Sequence, residues 1–363
     1  MVTTTTIARL QLALNSEDQG LVTSELQTMR STMLAEHDAI EAYGYHGRCT
    51  FPLCPTHPTA VVGVLSAYLQ RSPKLEELFS VWDIASRHEN RSLLVAIADT
   101  IAVILFCAAS NTAVGGPIIQ RILREQMKSM HSHLASGHTH LVHSFLGLMV
   151  AIARVSEQSS RDLYQKLILS SQCFTDISRK GKRVKSEVGG LPVETDSRCL
   201  LLILLATILL KGNEVIANEL LTRGSIFRRA LCSIDNYSLS EVKLILDCMR
   251  YIVEHSNLPK AIRLNIIDSL LLERILVLYQ GDEGTSQAAH DFMLAFCTSL
   301  ASELRNKRDL AGLAAMVITK LTPYSVVRQK DVSISLLILN MSDTVFICLV
   351  CGCASSSHAL AAS

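Results

Sequence analysis

The residues best suited to chemistry fall into three clusters. The first is His46, Cys49, Cys54 and His57. These side chains ligate zinc, but the two cysteines are spaced more widely than the C-x₂-C of zinc modules and the histidines are not in a finger arrangement. The stretch reads as a loop with incidental Cys and His, with a metal as the lesser alternative. The second cluster is His131, His133, His138, His140 and His143, around Ser136-Gly137. It lacks the H-E-x-x-H pattern and has no carboxylate within it, so it reads as a solvated inter-helix turn. The third is Arg179, Lys180, Lys182, Arg183 and Lys185, inside a stretch from Ser178 to Pro192 that also holds Gly181, Gly189 and Gly190. Most charge runs are solvated linkers, and a flexible basic loop is one reading. The other is a phosphate contact, where clustered Lys and Arg release counterions from RNA.

Catalytic constellations are missing from the sequence. Gly115-Gly116-Pro117 could cradle a phosphate but lacks the Lys and Ser/Thr of a P-loop, so it reads as a turn that starts a helix over 118–135. There is no Gly-x-Ser-x-Gly elbow, no Rossmann glycine set and no paired catalytic carboxylates. The sequence therefore points to a non-enzyme that needs no cofactor.

Any such cluster must be held by helices. The most apolar stretch runs from Arg198 to Lys211, with Cys199, Leu200–Leu205, Ala206, Thr207 and Ile208–Leu210 between. It is shorter than the roughly 20 residues that span a bilayer, so it reads as a helix buried on all sides, a spine for the rest. Asp196 or Ser197 stands at its N-cap and Gly212 at its stop. Hydrophobic residues make up 49% of the 363 and aromatics 5%, so Leu, Ile, Val and Ala fill a large core. Mean hydropathy is +0.30, yet no segment reads as a membrane span. A formal net charge of +1 excludes a domain that is basic or acidic as a whole. The 11 cysteines are scattered, mostly in apolar runs, and fit buried thiols in a reducing compartment. Met1 to Leu14 reads as a helical or frayed start.

Periodicity predicts helices over 24–43, 59–70, 74–87, 90–109, 118–135, 140–155 and 160–174 before the spine. It predicts 214–223, 226–233, 240–255, 259–279, 286–304 and 309–321 after it. Leu75, Leu78, Phe79 and Trp82 share one face, with Trp82 as a packing anchor. Helix pairs at roughly 40-residue intervals without a strict repeat predict an all-α fold, an irregular α-solenoid of armadillo/HEAT-like helix pairs. The expected division is an N-terminal helix and Pro/Gly/Cys/His loop over 1–58, a helical-repeat domain over 59–340 with the basic loop 178–192, and an atypical, disordered tail over 341–363. Because a solenoid is normally closed by a polar capping repeat, an exposed apolar end is expected around Leu336 to Val350, with poor order from Gly352 to Ser363.

Several patches resemble the N-terminal region of the nucleolar pre-ribosomal-associated protein 1 family. They are Tyr68-Leu69-x-x-Ser72-Pro73 with Leu78-Phe79-x-x-Trp82, then Gly116-Pro117-Ile118-Ile119-x-Arg121-Ile122-Leu123-Arg124 with Met127-Lys128 and Ser136-Gly137. Asp196-Ser197-Arg198 follows, then Leu258-Pro259-Lys260 with Leu271-Leu272 and Leu278-Tyr279. The last is His290-Asp291-Phe292-x-Leu294-x-x-Cys297-Thr298, with Leu321-x-Pro323 and Gln329. The patches run in order from about Val61 to about Leu339, in a family whose members are much longer. The resemblance implies a non-catalytic nucleolar assembly factor of the large ribosomal subunit, acting in pre-rRNA processing. Its implied partners are pre-rRNA, small nucleolar ribonucleoproteins, a DEAD-box helicase and companion scaffold proteins. Arg179, Lys180, Lys182, Arg183 and Lys185 are the candidate RNA contacts. The alternative function is a helical-repeat adaptor between proteins, in transport or trafficking, without an RNA role.

Overall fold

Local sequence rules set where the helices begin. Asn111, Ser156, Asn213 and Ser225 each accept a hydrogen bond from a first-turn amide, those of Val114, Ser159, Ile216 and Arg228. Ser238 and Glu241 form a reciprocal capping box: the Glu241 carboxylate accepts from the Ser238 amide at 2.8 Å, and the Ser238 hydroxyl accepts from the Glu241 amide at 3.4 Å. The computed structural model describes residues 2–16, 18–36, 63–108, 111–188, 191–222, 224–255, 264, 266, 269–279 and 283–304. The chain divides into two compact units, Met1–Gly212 and Asn213–Ser363.

The first unit contains α1 (Val2–Leu14), α2 (Gln19–Glu36), α3 (Gly63–Arg71), α4 (Glu76–Arg87), α5 (Arg91–Ala108) and α6 (Thr112–Arg121). A π-helical turn over Ile122–Gln126 leads into α7 (Met127–Ala135), α8 (Thr139–Val155), α9 (Glu157–Lys166) and α10 (Gln172–Lys180). Strands β1 (Arg183–Val188) and β2 (Leu191–Asp196) then precede α11 (Ser197–Lys211). Helices α2, α5, α8 and α11 pack successively, each against the next, and form the inner row. The others cover it: α4 lies on α5, and both α9 and α10 lie on α11.

The spine is thus one member of a row. α11 is buried from Cys199 to Leu209, as expected, but α5 and α8 are buried along almost their whole lengths too. α5 has the length and hydropathy of a membrane span, and 83% of that window is buried inside the protein, as a core helix should be. α4 sends Leu78, Phe79, Trp82 and Ala85 inward at helical spacing. Trp82 is fully buried, stacked between Phe79 and Phe145 with ring centroids 6.4 and 5.8 Å away.

Two local expectations need correction. Gly115-Gly116-Pro117 is not a turn: it lies inside α6, which starts five residues before the proline. The missing side chain at Gly115 lets this helix approach α8, since a Cβ there would come within 3.2 Å of Val155. Nor is 118–135 one α-helix, because the π-helical turn divides it.

In the second unit, α12 (Glu214–Leu221) pairs with α13 (Ile226–Leu231). α14 (Leu239–His255) and α15 (Ser269–Tyr279) both pack on α16 (Glu283–Leu304). The Cys49–Cys54 quartet, the expected helix over 309–321, the apolar end around 336–350 and the tail 341–363 lie outside the described residues.

Candidate functional site

The stretch read as a flexible basic loop is built of regular structure. α10 turns Phe174, Ile177 and Ser178 inward and leaves Arg179 and Lys180 exposed in its last turn, where cations suit the helix dipole. The helix stops at Gly181, whose φ of +40° with ψ of 155° disfavours any residue with a Cβ. Lys182 then leads into an antiparallel hairpin, with Arg183 paired to Asp196, Lys185 to Glu194 and Val188 to Leu191. The sequence reason is alternation: Val184, Ser186 and Val188 on one strand, Leu191, Val193 and Thr195 on the other, joined by Gly189-Gly190. Counting charge and glycine hid that period of two.

The hairpin base is fastened on both sides. The Lys182 amide donates to the Ser197 hydroxyl at 2.8 Å, and the Ser197 amide donates to the Lys182 carbonyl at 3.0 Å. Lys182 Nζ also donates to the Gly137 carbonyl at 2.9 Å, which ties the hairpin to the α7–α8 turn. Asp196, 2% exposed, accepts from the Arg198 amide at 2.8 Å and pairs with the Arg198 guanidinium at 2.8 Å. That carboxylate caps α11 from within.

The five candidate cations are therefore not equivalent. Arg179, Lys180, Lys182 and Arg183 are exposed, crowded around the α10–β1 junction. The backbone register places an acidic residue across from each cation of β1, Asp196 opposite Arg183 and Glu194 opposite Lys185. Arg179, Lys180 and Lys182 lie outside the ladder, at the end of α10 and the residue after Gly181.

The five histidines divide: His138 and His140 are exposed at the α7–α8 turn, as expected of a solvated turn, and the other three are partly or fully buried. His143, one turn into α8, is fully buried, its Nδ1 2.8 Å from the Thr139 carbonyl. The His133 ring lies 6.0 Å from that of Phe145, and His138 contacts Arg91. His131 reaches across to α10. Its Nε2 donates to the Lys166 carbonyl at 3.1 Å, and the ring hydrogen-bonds Cys173, which holds the imidazole above its usual pKa. Among the described residues, no three His, Cys, Asp or Glu side chains gather as a metal site would require.

Sequence reasoning missed Cys173. It lies in the first turn of α10, with the Ser171 hydroxyl 3.0 Å from its sulfur. Burial pushes its thiol up, but hydrogen bonds from His131, Ser171 and the Phe174 amide outweigh that and hold it below the usual thiol range. Cys297 shows the opposite case: full burial without such donors pushes its thiol up to about 12. Cys173 also lines a cavity of about 300 Å³ between α7, α8, α10 and the start of the hairpin. Its walls include Leu134, Val142 and Ile177, and Asp176, Lys180 and Lys182 supply charge. No spacing rule connects His131 to Cys173, so neither this pair nor the cavity had a signal in the sequence.

Comparison with known proteins places this geometry in context. The family model described as Npa1, ribosome 60S biogenesis N-terminal, matches residues 75–309, more than half of the chain and all of the basic segment. No curated protein sequence matches the chain. Among solved structures, a designed armadillo repeat protein matches at 15% identity with a TM-score of 0.50, over 80% of this chain and 99% of its own. That likeness concerns the fold alone, and it agrees with an all-α solenoid of armadillo-like helix pairs.

Proposed function

The chain belongs to the Npa1 family, whose theme is 60S ribosome biogenesis, and from that premise we propose that it is a non-catalytic helical scaffold of early large-subunit assembly, with pre-rRNA held at the α10–β1 junction. The observation that carries the RNA contact is the crowding of Arg179, Lys180, Lys182 and Arg183, all exposed, at one anchored junction. Fixed cations bind phosphate at a lower entropy cost than a flexible loop would. The same premise makes precursor particles the setting and the nucleolus the location. There the partners are companion scaffold proteins, a DEAD-box helicase and small nucleolar ribonucleoproteins. Within the chain, 59–340 is the helical-repeat part that the basic segment serves.

The test is fluorescence anisotropy with single-stranded RNA across a salt series. Replacing Arg179, Lys180, Lys182, Arg183 and Lys185 with Ala should flatten the log–log salt slope by about 2–3, the value for losing about four phosphate contacts at roughly 0.7 each. The same variant expressed in cells should sediment less with large-subunit precursors. An unchanged slope and affinity would reduce the cations to a solvated rim. The protein–protein adaptor would then be the surviving reading.

A further inference from the structure

We propose that the cavity between α7, α8, α10 and the hairpin base receives one unpaired nucleotide of bound RNA, its base between the apolar walls and its phosphate on Lys180 and Lys182. This deepens the RNA reading above and rests on it. The cavity opens beside the cationic junction, so a strand tracking Arg179, Lys180, Lys182 and Arg183 passes its mouth. Its volume of about 300 Å³ is at the low end of small-ligand pockets, roughly 300–1,000 Å³, the size for a single base rather than a stacked pair. Leu134, Val142 and Ile177 give the cavity apolar walls against which an extruded base packs. Asp176 accepts from Gln172 through one oxygen at 2.8 Å, which leaves its other oxygen for the exocyclic amino group of a base. Lys182 is held at the mouth by its bond to the Gly137 carbonyl and keeps two further N–H donors for phosphate. A duplex cannot present a base this way without paying to unstack it.

Cys173 lines the same cavity and supplies a reporter. In the full chain, iodoacetamide labelling of Cys173 is followed by mass spectrometry with no RNA, with saturating single-stranded RNA of mixed sequence, and with the duplex of that RNA and its complement. Half-buried Cys232, in the second unit, is the internal control. Single-stranded RNA should slow labelling of Cys173 several-fold and leave Cys232 unchanged, and the duplex should do neither. A second arm uses Ala135→Phe, which narrows the cavity from an exposed position at the end of α7 without changing charge. It should weaken single-strand affinity about tenfold, or about 1.4 kcal/mol, by shutting out the base, and leave the salt slope unchanged. If RNA binds while Cys173 labels at its free rate, or if the duplex protects it equally, the cavity is not the site and the scaffold reading stands. If wild-type protein binds no RNA at all, both fall together.

Discussion

Gly181→Ala tests the architecture of the junction in one methyl group. Gly181 has a φ of +40° and ψ of 155°. Holding an L-residue in such a sparsely populated region costs on the order of 1–3 kcal/mol. A Cβ there would also stand 2.4 Å from Arg198 Nε and 2.4 Å from Asp196 Oδ1, far inside van der Waals contact. Neither group can swing away freely, because the Asp196 and Arg198 side chains are only 3% and 13% exposed. Displacing Asp196 removes the cap of α11, worth about 1 kcal/mol, and loosens the ion pair besides. The expected loss is about 2–4 kcal/mol. At roughly 2–4 °C per kcal/mol for a unit of this size, the melting temperature should fall by roughly 5–15 °C. Trp82 lies in the first unit and is the chain's single tryptophan, so its fluorescence reports that unit's melting. Gly116→Ala is the control: a Cβ there meets nothing within 4 Å, and a helical Gly→Ala change should stabilise by up to about 1 kcal/mol. A Gly181→Ala protein that melts with the wild type would refute the strained junction and the capping role of Asp196.

Leu204 is fully buried in α11, and Leu204→Asp should cost several kcal/mol and leave the chain largely insoluble. Normal yield and melting would show that α11 is not core. Trp82→Ala should cost about 3–5 kcal/mol in a chemical-denaturation series. Trp82→Phe should cost much less, because the indole N–H has no hydrogen-bond partner to lose. A Phe variant as unstable as the Ala variant would contradict that. For Cys173, the folded thiol pKa lies below the unfolded value, so thiolate is enriched in the fold. Its alkylation rate should rise through a midpoint below 9.0, and His131→Ala should move that midpoint back up. By the same sign, the thiolate's contribution to stability is present above the unfolded pKa and is lost as pH falls through the folded one. A midpoint unaffected by His131→Ala would sever the pair.

What the sequence determined by itself was local. The apolar run of α11 could only be a buried helix, since no face of it tolerates water. Asp196 marks the start of α11 because a cap and its amide are two residues apart and need no third party. The ordered family patches carried the fold and the biogenesis theme. Tertiary structure decided everything that depends on residues meeting across the chain. Hydropathy ranked α11 as the spine, but α5 and α8 are equally enclosed, because burial depends on how many neighbours a helix has and not on its own composition alone. Gly115 within α6 answers to the approach of α8, where a Cβ would meet Val155, and no local rule foresees that. The basic segment was visible as charge, yet its division between the last turn of α10 and a paired strand was not. The pairing of His131 with Cys173 across forty-odd positions, and the cavity beside it, exist only because α7 and α10 fold onto one another. Charge, caps and hydropathy are written residue by residue, whereas a site is a distance between elements, and that distance is set only when the elements pack.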